Sequence, residues 1–305
     1  VLNNKKLTYF FYAAEGIAPE FRFVADTVRD LTAQNAAKTE SDGFITISQM
    51  TPGLDCVIEF TDASGRAIEI VTLTEAQALQ SYKAKFSGTD CLFLSDRLLL
   101  TPGGSDLEIR SFGKARFELS VYPQLNISGP GCRQDGTIGI FTQYHIETPE
   151  WTEKKPVMTL KTDPAAFAAY CASLKETPAG PTYSHRFDPQ TPDLVYEIEW
   201  PENILDGVNN IKVDFDYRAN TAQIYAGEYI IADDFYLGTP MSFNVRRHAD
   251  KLGKKTFRLQ LSPLMADHKN IYFEPGIDLE FAKTVHAELK EVKLTPEYRV
   301  LLTVK

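Results

Sequence analysis

The chain has 305 residues, 43% of them hydrophobic, which is enough material for two cores rather than one, and the expectation is two domains. Its formal net charge of −9, with Lys and Arg never clustered beyond pairs such as Lys5-Lys6 and Arg246-Arg247, argues against a nucleic-acid or anionic-membrane partner. No apolar run approaches the roughly 20 residues that span a bilayer, and the opening VLNNKKLTYFF has neither an initiator Met nor a signal-peptide layout. A piece processed or excised from something soluble is therefore expected.

Along the first half, short apolar and aromatic runs are punctuated by Gly, Pro, Asp and Asn, as in an all-β chain. KLTYFFYA, EFRFVA, GFITISQM, CVIEF, AIEIVTL, CLFLS, RLLLT, LEIRSF, RFELSVYP and IGIFTQYHI all read as strands. VIEFTDASGRAIEIVTL is a hairpin turning at Asp62-Ala63-Ser64-Gly65. Two short helices interrupt the strands. TEAQALQSYKAKF offers a capping box, Thr74 with Gln77, and helical spacing of Ala78, Leu79 and Tyr82. DPAAFAAYCASLKE offers Asp163 as N-cap, with Pro164 in the first turn.

Thr177 to Asp193, TPAGPTYSHRFDPQTPD, has no apolar periodicity and many prolines, so the domain boundary is placed there, giving domains 1–180 and 181–305. Strands then resume: VYEIEW, IKVDFDYR, AQIYA, YIIADDFY, SFNVRR, KTFRLQL, NIYFE, VHAELKEVKL and YRVLLTV, with a hairpin around Ala226-Gly227-Glu228. The predicted fold is all-β: two antiparallel β-sandwich domains, the second jelly-roll or galactose-binding-like, both helices in the first.

The four cysteines, Cys56, Cys91, Cys132 and Cys171, form no CxxC, and buried free thiols are expected; spacing alone leaves one or two disulfides open. The five histidines are isolated, with no HxxxH or HExxH, and no GxSxG occurs, so neither a zinc site nor a serine nucleophile is indicated.

The stretch from VYEIEW to IYFEP resembles the C-terminal β-sandwich module of large bacterial β-galactosidase-like enzymes of glycoside hydrolase family 35. The residues that carry the likeness are Asp216-Tyr217, the hairpin at Gly227, Ala232-Asp233-Asp234-Phe235-Tyr236-Leu237-Gly238-Thr239-Pro240, and Ile271-Tyr272-Phe273-Glu274. Upstream, FFYAAEGIAPEFRF, IVTLTEAQALQSYK, CLFLSDRLLL and LSVYP resemble the sandwich region that precedes that module. Three departures stand out. Ala219-Asn220 replaces a Gly-Asp turn, Ala226-Gly227 replaces Asn-Gly, and Met241 stands where a Trp commonly follows the Gly-x-Pro, which puts sugar stacking there in doubt.

Family 35 enzymes use two Glu residues of a (β/α)8 barrel about 5 Å apart. No βα alternation is present in these residues, so the resemblance implies a non-catalytic accessory region. Its partners would be the catalytic barrel of the same polypeptide and galactoside-containing glycans, in a bacterial periplasmic or extracellular setting. The alternative is an autonomous carbohydrate-binding or cell-surface interaction module. Trp200, Tyr225, Tyr229 and Tyr236 are the candidate carbohydrate-binding rings, with Trp151 beside Glu150 a further one. Asp233 and Asp234, adjacent on a strand, point to opposite sides, so they and Gly238 are read as turn structure, with Asp234 accepting N–H groups near Leu237-Gly238. No cofactor is implied except a structural calcium, for which Asp206, Asn209 and Asn210 offer hard oxygen ligands.

Overall fold

The computed structural model describes residues 1–173, 193–264, 275–277 and 286–305. The chain is all-β, built of several mainly antiparallel sheets. Its compact units are Val1–Glu150 with Tyr298–Lys305, and Trp151–Glu297.

In the first unit one five-stranded sheet runs in the order Leu2–Asn3, Leu7–Ala13, Ala67–Thr74, Val57–Asp62, Val28–Ala33. The hairpin through Asp62–Gly65 forms where the sequence places it: the Asp62 carboxylate accepts from the backbone N–H of Ser64 and of Arg66, both at 2.9 Å. Leu7–Ala13 pairs in parallel with Ala67–Thr74. A parallel pair needs a long crossover, and the intervening chain supplies one that includes a three-stranded sheet of Phe21–Val24, Phe44–Ser48 and Ala37–Ser41. Flanked by strands on both sides, Ala67–Thr74 is buried on both faces from Ile68 to Leu73, Glu69 included.

A second sheet of this unit runs Cys132–Ile138, Phe141–Glu147, Arg116–Tyr122, Thr89–Leu94, Ser81–Phe86. Its last strand corrects the sequence reading of TEAQALQSYKAKF as one helix. The Thr74/Gln77 capping box forms, but the helix covers only Glu75–Leu79. From Ser81 the chain is extended, because Tyr82, Ala84 and Phe86 have period 2 and pack on the core of Phe93, Leu119 and Val121. The turn at Ser87-Gly88, both with positive φ (47° and 83°), then folds the strand back onto Thr89–Leu94, as a two-residue hairpin requires. The hairpin Leu98–Gly103 and Asp106–Phe112 completes the unit beside the end of the 17-residue strand Glu288–Val304. There Arg299 reaches the buried Glu108 carboxylate at 2.7 Å.

In the second unit Val157–Leu160, Leu194–Glu199, Phe257–Ser262, Thr221–Ala226 and Tyr229–Phe235 form one antiparallel sheet in that order. Asn210–Arg218 lies between Met241–Asn244 and residues Glu288–Glu297 of the long strand. It alternates buried and half-buried positions, with Ile211, Val213, Phe215 and Tyr217 all inside. Helix Pro164–Ser173 belongs to this unit; Asp163 Oδ1 accepts from the Ala165 and Ala166 amides, the cap read from the sequence.

Apart from Asp193, the proline-rich stretch on which the sequence boundary rests lies outside the described residues, as does NIYFE. The strands on either side of that stretch, Val157–Leu160 and Leu194–Glu199, pair with each other, and residues 151–173 therefore group with the strands of the second unit. The two strands expected over residues 285–304 form one, Glu288–Val304. The strand expected over SFNVRR ends at Asn244, giving way to a 3-10 turn, Val245–Lys251. All four cysteines are free thiols, three of them buried. No helix among the described residues is long and apolar enough to cross a membrane.

Candidate functional site

Strand Arg116–Tyr122 of the first unit sends Phe117, Leu119 and Val121 into a core with Cys91, Phe93, Tyr144 and Ile146. Period 2 puts Arg116, Glu118 and Ser120 on its other face. The neighbouring strand Phe141–Glu147 sets Glu147, His145 and Gln143 opposite those three in register. At one end of this second face Leu92, Leu94 and Tyr122 pack with Leu2, Val57, Val71, Leu73 and Phe141. From Leu94 onward the face opens into a pocket of about 500 Å³, walled by Leu54, Gln77, Gln80, Asp96, Arg97, Lys114, Arg116, Phe117, Glu118 and His145. That volume suits a small organic ligand.

Local bonds fix the lining. In the capping box the Gln77 amide N–H donates to Thr74 Oγ1 at 3.2 Å and the Thr74 N–H to Gln77 Oε1 at 3.0 Å, holding Gln77 at the rim. Ser95 ties the next loop down: its N–H donates to the Gln80 carbonyl (3.0 Å), its hydroxyl donates to the Glu118 carbonyl (3.2 Å), and Ser95 Oγ accepts from Arg97 N–H (3.2 Å). Asp96 Oδ2 then lies 3.0 Å from Arg97 Nη2 and 3.7 Å from Lys114 Nζ. Arg116 Nε meets Glu147 Oε1 at 2.9 Å. Arg97 is the buried member, its side chain only 10% exposed, and its Nε is shut off from water with no partner. Glu118 makes no ion pair among the described residues.

A second polar cluster lies inside the same unit. Lys6 Nζ bridges two carboxylates that face each other across neighbouring strands, at 2.9 Å to Glu59 Oε1 and 2.6 Å to Glu69 Oε1. Glu69 Oε2 accepts from Tyr122 Oη (2.6 Å) and Thr8 Oγ1 (3.0 Å). Burial pushes the Glu69 carboxyl up, but the bonds from Lys6, Tyr122 and Thr8 together outweigh it and hold the group below the usual carboxylate range. Burial first, and the bond to Glu69 second, push the Tyr122 hydroxyl up to about 12. With Glu69 only 3% exposed, these carboxylates belong to the frame and offer no approach to a substrate.

The residues singled out from the sequence lie in the other unit. Tyr225 and Tyr236 are 1% and 7% exposed and present no free ring to a sugar. Tyr225 donates to Gln223 Oε1 (3.0 Å), and Tyr236 packs edge-on against Tyr217. Trp200 is wedged between Phe243 and Phe257, at 6.0 and 5.9 Å between ring centroids. Of the four rings Tyr229 alone is widely exposed. Trp151 donates its indole N–H to the Ile204 carbonyl at 3.2 Å. The structure thus gathers these aromatics mainly into core contacts, as expected of a strand-rich chain.

Asp233 is exposed and Asp234 half-buried, on alternate sides of Tyr229–Phe235 as period 2 requires. The partner of Asp234 differs from the expected Leu237-Gly238 amides: its Oδ2 accepts from the buried Tyr217 hydroxyl at 3.0 Å. The reason is the alternation of Asn210–Arg218, which turns Tyr217 inward beneath this strand. Gly238 has φ +81°, a conformation that glycine alone takes without strain.

Around Asn209 and Asn210 three oxygens accept from Arg246. Arg246 donates to the Asn209 carbonyl (2.6 Å), the Val208 carbonyl (2.9 Å) and, from its backbone N–H, Asn210 Oδ1 (3.0 Å). Asn209 donates to Glu297 Oε1 at 2.8 Å, and Asp206 is exposed. Among the described residues no three His, Cys, Asp or Glu side chains group to hold a metal ion.

Arg97 and its neighbours were not found from the sequence. The polar alternation of Arg116, Glu118 and Ser120 in RFELS is visible there, but nothing local says that Gln77, Arg97 and His145 converge on it.

No family model and no curated protein matches the chain. Among solved structures, the crystal structure of the GH31 alpha-xylosidase (Xac1773) from Xanthomonas citri matches over 99% of this chain at 11% identity, with a TM-score of 0.16; the chain spans 38% of that protein's length. A likeness at that score carries no argument.

Proposed function

We propose that this chain is a non-catalytic accessory β region of a β-galactosidase-like glycoside hydrolase of bacterial periplasmic or extracellular setting. It supports a catalytic barrel of the same polypeptide and contacts glycan through the pocket of its first unit. The observation that carries the reading is the state of the pocket's carboxylates. Hydrolysis by two carboxylates needs a pair flanking one glycosidic bond. Here Asp96 is held by Arg97 and Lys114, and Glu118 is left as a lone acceptor. Planar amides, a guanidinium, an imidazole and a carboxylate around an open pocket are the groups that hold sugar hydroxyls without breaking a bond.

The purified 305-residue chain is expected to release no aglycone from aryl β-galactosides and to retain saccharides on a glycan array. Turnover that disappears in Glu118→Gln would overturn the non-catalytic reading. Glycan binding by the chain with no effect on the activity of the barrel encoded beside it would make it an autonomous binding module instead.

A further inference from the structure

We infer that the pocket of the first unit selects an acidic saccharide: a sugar ring bearing a carboxylate, seated with that carboxylate at Arg97 and Lys114 and with its hydroxyls toward Glu118, Gln77 and His145. The inference rests on the carbohydrate reading above and adds the class of sugar.

Charge balance is the first argument. Asp96 is one carboxylate set against two cations, Arg97 Nη2 at 3.0 Å and Lys114 Nζ at 3.7 Å, so one positive charge there is uncompensated. Glu118, the other acidic residue of the lining, pairs with neither cation. The third cation of the lining, Arg116, is already paired with Glu147, so the open positive charge is confined to Arg97 and Lys114.

Hydrogen-bond satisfaction is the second. Arg97 is nine-tenths buried, yet among the described residues its guanidinium makes a single contact, to Asp96. Nε is buried without a partner, and Nη2 is the nitrogen that meets Asp96. A buried guanidinium with open donors is costly, and its planar fork matches a carboxylate better than any other common ligand group. The loop that carries it is pinned through Ser95 to the backbone of Glu118, so the donors are held in place before a ligand arrives. That preorganisation lowers the entropic cost of binding.

The remaining groups suit the rest of such a ligand. Glu118 is an acceptor for hydroxyl protons, His145 is its register partner on the next strand, and Gln77 offers an amide at the rim. A space of about 500 Å³ holds more than one sugar ring, so an oligosaccharide with an acidic residue is the expected natural form.

The test uses the full chain and two matched pairs of probes, galacturonate against galactose and glucuronate against glucose, which differ only at C6. Calorimetric titration is expected to show at least one uronate binding about tenfold more tightly than its neutral partner, with the preference shrinking at high salt. Arg97→Gln should bring the two affinities to within about twofold. Lys114→Gln, at an exposed side chain that leaves the core untouched, should lower the preference about threefold and decides the matter should the Arg97 variant not fold. Equal affinity for acid and neutral sugars overturns the acidic-saccharide inference and leaves the carbohydrate reading standing. Binding of none of the four overturns both. A uronate preference that survives both substitutions places the carboxylate elsewhere and overturns the assignment to Arg97.

Discussion

Replacing Lys6 by Met removes the cation from the buried Glu69 carboxylate while keeping an unbranched stem in its place. Breaking a buried ion pair from one side costs about 3–5 kcal/mol. Two features of the structure lower that figure: Lys6 is 44% exposed and so screened by water, and Tyr122 and Thr8 still donate to Glu69 Oε2. A loss of about 2 kcal/mol at pH 7 is expected.

The pH dependence identifies the cause. In the native chain the Glu69 carboxyl is held below its ordinary 4.5, so its stabilisation is present above that value and is lost as the pH falls through the depressed one. Lys6 is raised above its ordinary 10.5, chiefly by its bond to Glu69, so its share is fully present throughout the neutral range. Without Lys6, burial pushes Glu69 upward, and the variant gains stability on acidification. The gap between the two proteins therefore narrows from pH 7 toward pH 4 and closes below it. Urea unfolding followed by far-UV circular dichroism reports this, since both tryptophans, Trp151 and Trp200, lie in the other unit. A loss of the same size at pH 4 and pH 7 would refute the reasoning, as would a loss below about 0.5 kcal/mol at pH 7.

Asp234→Ala leaves the buried Tyr217 hydroxyl without its acceptor and should cost about 1–3 kcal/mol by tryptophan-monitored unfolding, whereas Asp233→Ala, at an exposed position, should stay within about 0.5. Adding Tyr217→Phe to Asp234→Ala should recover part of the loss, and strict additivity would count against the bond. Burial pushes the Asp193 carboxyl up to about 6, against the bond it accepts from Gln260 Nε2, so the native chain should lose stability as pH rises from 3.8 to about 6 and then level off. Asp193→Asn should flatten that profile and gain about 3 kcal/mol at most above pH 6; a native profile already flat in this window contradicts the assignment. Limited proteolysis should cut first within the proline-rich Thr177 to Asp193, on its composition, and the fragments should co-elute until denatured, because Val157–Leu160 pairs with Leu194–Glu199 across the cut. Fragments that separate without denaturant would argue against that pairing.

Features set by neighbours in sequence were legible in the sequence. The all-β class, the hairpin at Asp62–Gly65, the Thr74/Gln77 capping box, the Asp163 cap and the opposite faces of Asp233 and Asp234 all arise from period-2 alternation or from bonds spanning two to four residues. Where two local patterns competed, packing decided: Tyr82, Ala84 and Phe86 could be counted along a helix or a strand, and the core around Phe93 selected the strand. What only the tertiary structure decided depends on partners far apart in the chain. Glu69 meets Lys6 because a parallel crossover sets Leu7–Ala13 beside Ala67–Thr74, and Asp234 finds Tyr217 instead of its own turn. The pocket is the clearest case. Its residues lie between positions 54 and 145, and the ligand preference assigned to them exists only after the Asp96-Arg97 loop, with its buried guanidinium and shared carboxylate, meets the strand that carries Glu118 at one opening. Alternation tells which side of its own strand a residue takes, but it holds no information about which strand will lie opposite.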